Sequence, residues 1–285
     1  MEESSRPAAP IETLQLFPRL DELLLALLRS LAPADWQRPT LARQWTVKDV
    51  VAHLLDGNLR TLSMLRDGHF GEAPAGQSYD DVVGFLNRLN GEWVRAARRL
   101  SPAVLIELLA QSGAEYSAFL RTLDPWAPAA FSVAWAGESE SLNWFHVARD
   151  YTEKWHHQQQ IREAMGQTAP LMSPELFHPF IATLLRGLPH ALRTAAAPTG
   201  AVVQVRIGEP GGGTWQVEKA PTHWRLREAA EQPGALLAAE VALAPETAWK
   251  LFTKGLSPAE ARDQARLRGD EALGTAVLGL VAVMA

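Results

Sequence analysis

The run RDYTEKWHHQQQ, residues 149–160, places a carboxylate and two adjacent imidazoles in one helical-looking segment. Glu153 and His157 stand four residues apart, so on a helix their side chains are surface neighbours and can share one ion. A carboxylate oxygen beside an imidazole nitrogen suits a borderline divalent metal such as zinc or nickel. At roughly 100° per residue, His146, Asp150, Glu153 and His157 form one stripe of the helix. Trp144, Ala148, Tyr151 and Trp155 form a second stripe on nearly the opposite side, and His156 points between the two. A pair of this kind is common. An aromatic stripe packed as the core face would leave Glu153 and His157 in water, so spacing alone keeps both readings open.

A further histidine lies about a hundred residues upstream, in WTVKDVVAHLLDGN. There Val47, Val51, Leu54, Asn58, Leu62 and Leu65 mark a core face, and His53 lies on its flank near Val50. Gly57 is one turn further along, and its missing side chain leaves room beside His53.

Helices must position these groups. The spacing predicts one over residues 12–31 and a second opening at Trp45, with Thr46 and Asp49 as an approximate capping box and Gly68 as its stop. A third starts near Ser78 or Tyr79, a fourth at Ser101 and Pro102, and a long fifth runs from about Leu142 to Met165. Long helices with mostly short connections suggest an antiparallel four-helix bundle. GQTAPLMSP, from Gly166, reads as a linker. One more helix, from about Ser173 to Thr194, precedes three alternating segments, AVVQVRIG, GTWQVEKA and HWRLREA. The remainder from LAPETAWK is helical, with one strand at QARLRG. The expected architecture is α + (α+β): a four-helix bundle over residues 1–166 and a smaller α+β domain over 173–285.

Composition narrows the function. Hydrophobic residues are 47% and charged residues 21%, which is globular rather than disordered. The formal net charge of −5 and the scattered basic residues argue against a nucleic-acid partner. There are no cysteines, so thiolate ligands and a protein-borne thiol nucleophile are excluded. The longest uncharged apolar run has 14 residues, too short for a bilayer, and MEESSRPAAP does not read as a signal peptide. A cytoplasmic protein with no membrane partner, monomeric or homodimeric, is the expectation.

WTVKDVVAHLLDGN together with RDYTEKWHHQQQIREAMG resembles the paired signatures of the mycothiol-dependent maleylpyruvate isomerase N-terminal domain, a branch of the DinB-like four-helix bundles. The family motif Trp-Ser/Thr-Val-x-Asp-Val-x-x-His falls on Trp45, Thr46, Val47, Asp49, Val50 and His53. Its second motif falls on Arg149, Glu153, Trp155 and His157. The resemblance implies His53, Glu153 and His157 as metal ligands. It departs at Gln160, where the family usually has an aspartate. The tail from LAPETAWK resembles the family's sterol-carrier-protein-like C-terminal domain. Three ligands leave a coordination position open, as in catalytic zinc sites. By resemblance that position serves a low-molecular-weight thiol such as mycothiol or bacillithiol.

The resulting expectation is a metal- and thiol-dependent isomerase or S-transferase acting on a small electrophile bound between the bundle and the C-terminal domain. The alternative is a non-catalytic carrier whose C-terminal domain holds an apolar ligand above a structural or vestigial metal; a stress or regulatory protein without turnover is a third. Arg206, in VVQVRIG, can meet a substrate or cofactor carboxylate but reads more simply as a solvent-facing strand residue. His69, His178, His190 and His223 have no partner at ligand spacing, and the glycines at 211–213 read as a hairpin turn.

Overall fold

The computed structural model describes residues 9–76, 78–227 and 237–283. α1 (Phe17–Ser30) begins only after a 3-10 turn at Leu14–Leu16, with Pro18 in its first turn, where a missing N–H costs nothing. α2 (Val47–Thr61) starts at the expected capping box: Thr46 and Asp49 exchange side-chain and backbone hydrogen bonds. Its last turn widens into a π-helical turn at Leu62–Arg66, and Gly68 then reverses the chain at φ 70°. α3 (Tyr79–Ala97) is capped by Ser78, α4 (Pro102–Leu120) by Ser101, and α5 (Asn143–Met165) ends at Gly166 in the left-handed region. α2 packs against α3, α4 and α5, and α1 against α4 and α5. Leu24, Leu28, Val51, Leu55, Leu105 and Ile161 form a core among these helices, each at most 5% exposed.

The segment expected as one helix from Ser173 to Thr194 is broken. α6 (Pro174–Leu184) passes through a 3-10 turn into the single-turn α7 (Leu188–Ala191). Pro189 lacks the N–H that a continuous helix needs, and Gly187 is pressed against Trp135 and Leu280, where a Cβ would lie 2.8 Å from a Leu280 methyl.

The sheet has five strands in the order β3-β2-β1-β4-β5. β1 (Val202–Ile207), β2 (Gly213–Lys219) and β3 (Trp224–Leu226) fall on the three expected alternating segments and pair as an antiparallel meander. The end of HWRLREA and the approach to the next strand, residues 228–236, lie outside the described residues. β4 (Leu237–Leu243) was not expected from the sequence, yet it is central: it runs parallel to β1 and antiparallel to β5 (Arg266–Gly269). Its sequence LAAEVAL is built mostly of good helix formers, so propensity pointed away from the strand that tertiary pairing imposes. α8 (Pro245–Phe252), α9 (Pro258–Arg262) and α10 (Glu271–Leu278) complete the chain.

The whole is helix-dominated with a mixed sheet in the C-terminal part. GQTAPLMSP does not behave as an open linker. It folds into a 3-10 turn with Leu171 and Met172 buried, and the Trp155 indole donates to the Leu171 carbonyl at 3.2 Å. One apolar cluster runs from Phe17 and Tyr151 through Trp155 and Phe180 to Trp249 and Val203, so α5 and the C-terminal elements share a core.

Candidate metal centre

The first motif positions α2. Arg98, just past α3, places two hydrogen bonds on the Asp49 carboxylate at 3.0 and 3.1 Å, clamping the α2 N-terminus to the end of α3. Burial opposes the Asp49 charge, but Arg98 and the Thr46 backbone and hydroxyl outweigh it and hold the carboxyl below its usual range. Seven residues into α2, His53 turns its ring toward α5. Its Nδ1 is buried with no hydrogen-bond partner. Trp45 lies over it at 4.8 Å between ring centroids and 6.3 Å from His157, so one indole roofs both imidazoles.

α5 supplies the other half. The His157 ring meets the His53 ring edge-on at 4.6 Å, and His157 Nε2 lies 3.6 Å from Glu153 Oε2. The opposite nitrogen, His157 Nδ1, is hydrogen-bonded to Gln160 Oε1 at 3.0 Å. Gln160, the departure from the family pattern, thus keeps the orienting contact: a donor on Nδ1 leaves the Nε2 lone pair directed at Glu153. His156 enters the cluster too. Ligand atoms of Glu153, His156 and His157 lie within 4.8 Å of one another, and His156 Nδ1 is hydrogen-bonded to the Thr152 carbonyl at 2.8 Å. Periodicity placed His156 between the two stripes; in the structure its ring lies beside that of His157, with centroids 3.9 Å apart.

Electrostatics favour a cation. Burial first, then the neighbouring His157, hold His53 well below the ordinary imidazole value and push His156 down to about 4. Burial works against the Glu153 charge, but the neighbouring His157, His156 and Arg149 keep its carboxyl well below the usual range. A cluster of lone-pair nitrogens around one carboxylate matches the N/O donor set of zinc-type sites, and the unpartnered His53 nitrogen is accounted for if it faces an ion. Glu153 retains 31% side-chain exposure, so the cluster is reachable from solvent.

Residues 17–162 match the family described as mycothiol maleylpyruvate isomerase N-terminal domain. The chain belongs to this family. Two solved structures share the fold: the mycothiol-dependent maleylpyruvate isomerase (TM-score 0.50) and a histidine-to-alanine mutant of a protein of that name (TM-score 0.51). Each is 13% identical over 91% of this chain and 93% of the other. No curated protein matches the chain. Within this maleylpyruvate isomerase-type family fold, the α5 face opposite the cluster is covered by the C-terminal elements. Trp155 stacks on Phe180 at 3.9 Å and meets Trp249 edge-on at 6.0 Å, and the Tyr151 hydroxyl donates to the Leu176 carbonyl.

The remaining candidates lie elsewhere. Arg206 is exposed on the sheet, ion-paired with Glu240, where it lines a cavity of about 460 Å³ with Arg266 and Arg268. His178 sits against the Gly211 and Gly212 carbonyls of the β1–β2 turn, and His223 against the Thr222 hydroxyl. No described helix is long and apolar enough to cross a membrane.

Proposed function

We propose that the protein is a metal- and low-molecular-weight-thiol-dependent isomerase or S-transferase acting on a small electrophile. In this reading residues 1–166 are a DinB-like four-helix bundle that holds the metal through His53, Glu153 and His157, and 173–285 are a sterol-carrier-protein-like α+β part. The observation that carries it is the grouping of Glu153, His157 and the neighbouring His156 on α5, with the His53 ring of α2 meeting the His157 ring at 4.6 Å. The thiol dependence named for the family and for both solved structures supports the thiol part. With no cysteine of its own, the chain must take its sulfur from outside.

Glu153 supplies the negative charge of the site, and the uncharged His53 and His156 present lone pairs rather than protons near pH 7. Gln160 and the Thr152 carbonyl fix the rotation of the two adjacent imidazoles. Trp45 excludes water from one side of His53 and His157. His53, Glu153 and His157 would hold a divalent ion, which when bound would lower the pKa of a thiol from about 8.5 and so favour thiolate near neutral pH for addition to an activated double bond.

The test is cobalt substitution followed by titration with mycothiol, bacillithiol, glutathione and coenzyme A. A sulfur-to-cobalt charge-transfer band is expected in the wild type and not in His53→Ala. If no thiol perturbs the cobalt spectrum, the proposal fails.

A further inference from the structure

His53, Gly57 and Arg60 are four and three residues apart and share one face of α2. A Cβ on Gly57 would meet nothing within 4 Å, so the space beside the helix between the histidine and the arginine is open. α5 runs past this face in the opposite sense. Arg38, ahead of α2, reaches the Ala164 carbonyl, His53 meets His157, and Asn58 accepts from Lys154. Moving along α2 from His53 to Arg60 therefore moves along α5 from His157 back through Glu153 toward Arg149. Seven helical residues span roughly 10 Å.

At that far end two guanidiniums are held in place by neighbours. Arg60 pairs through Nε with Asp56 at 3.0 Å and donates through Nη2 to Asn90 of α3 at 2.9 Å. Arg149 pairs through Nη2 with Asp150 at 2.6 Å. The Nη1 group of each makes no hydrogen bond to any described residue. Arg60 and Arg149 keep 28% and 26% side-chain exposure, so this end is wet, like Glu153. On this register the open side of Gly57 forms a trough along α2 and α5, with the imidazoles toward one end, Arg60 toward the other and Arg149 one helical turn beyond Glu153.

We propose that the trough is an anion subsite in which Arg60 and Arg149 take the carboxylate of the molecule whose reacting end sits at His53, Glu153 and His157. The subsite's reach rests on the metal reading of those three residues; its charge rests on the arginines alone. A guanidinium fork held by its other nitrogens loses little freedom on meeting a planar carboxylate, which favours this anion over a neutral polar group.

The experiment compares 6-mercaptohexanoate with 6-mercaptohexanol on the cobalt-loaded full chain. The two share length and sulfur and differ only in the carboxylate. The acid is expected to bind about tenfold tighter in the wild type. That ratio is expected to fall to near one in Arg60→Gln, with cobalt content unchanged, and in those Arg149→Gln molecules that hold cobalt. Gly57→Leu, which a helix accepts readily, fills the trough and is expected to weaken both thiols about tenfold or more while cobalt is retained. A metal-free arm titrates glutarate by calorimetry: binding to the wild type and not to Arg60→Gln is expected. Equal affinity for acid and alcohol in the wild type, or Gly57→Leu that binds both like the wild type, overturns the subsite. Protein that takes up no cobalt yet binds glutarate through Arg60 overturns the metal reading and leaves the subsite standing; failure of glutarate to bind metal-free protein overturns the subsite.

Discussion

Glu153 is the one carboxylate among the clustered imidazoles, and Glu153→Gln removes its charge while keeping its volume. Metal affinity is expected to drop at least about a hundredfold in Glu153→Gln, His53→Ala and His157→Ala, read by elemental analysis and competition with a chelator. Gln160→Ala, which only releases the far side of the His157 ring, is expected to cost about tenfold. His156→Ala is expected to fall near Gln160→Ala rather than near His157→Ala, because Glu153 and His157 share one side of the helix. If His156→Ala empties the site and His157→Ala does not, the ligand assignment on α5 is wrong. The metal-free protein also carries a pH signature. His156 titrates near 4 in the fold and near 6.5 when unfolded, so the unfolded chain binds the extra proton first. Stability is therefore full above pH 6.5 and falls as the pH drops toward 4, by about 1.4 kcal/mol per pH unit for this group. The depressed Glu153 carboxyl adds to the loss below about 4.5, its unfolded value. Urea midpoints across this range check the sign: a metal-free protein that gains stability on acidification would contradict the burial of neutral imidazoles.

α5 is two-faced, and its faces do different jobs. One carries Glu153 and His157 toward α2; the other buries Tyr151 and Trp155 completely against α6 and α8. Trp155→Ala leaves a large cavity against Phe180, Phe177 and Trp249 and is expected to cost about 3–5 kcal/mol in urea unfolding. Its metal content under native conditions should stay close to wild type, because the ring points away from the ligands. A Trp155→Ala protein that folds with unchanged stability would mean the aromatic face is not core. At the other end of the site, Thr46→Ala deletes the α2 cap and is expected to cost about 1 kcal/mol.

The whole molecule is held by a core that ignores the boundary near residue 170. Leu171, Phe177, Phe180 and Trp249 cover the α5 face that a chain ending at Gly166 would expose. Residues 1–166 made alone are expected to bind a hydrophobic dye, to show red-shifted tryptophan emission and to unfold with little cooperativity. A cooperative, dye-silent fragment would favour two independently folding domains instead. The same packing bears on where ligands enter. The contact of α5 with α6 and α8 is closed and aromatic, while Glu153 on the opposite face of α5 keeps 31% side-chain exposure, so a ligand reaches the cluster from the side away from that contact.

Residue spacing alone determined the long helices, their caps at Thr46, Ser78 and Ser101, and the pairing of Glu153 with His157, because each of these is a contact within one or two helical turns. It determined the two stripes of α5 for the same reason, without saying which faced water; both are largely buried. His53 as the third member was legible only through the family motif, since helix periodicity places it on a flank without naming its neighbour. Tertiary structure decided what distance along the chain hides. It set the His53 ring of α2 against the His157 ring of α5, under the indole of Trp45. It made LAAEVAL a central strand, because β1 and β5 offered hydrogen bonds on both sides that outweigh helical preference. It also aligned Gly57 and Arg60 with Glu153 and Arg149, on helices about ninety residues apart in sequence, because antiparallel packing converts distance along one helix into distance along the other.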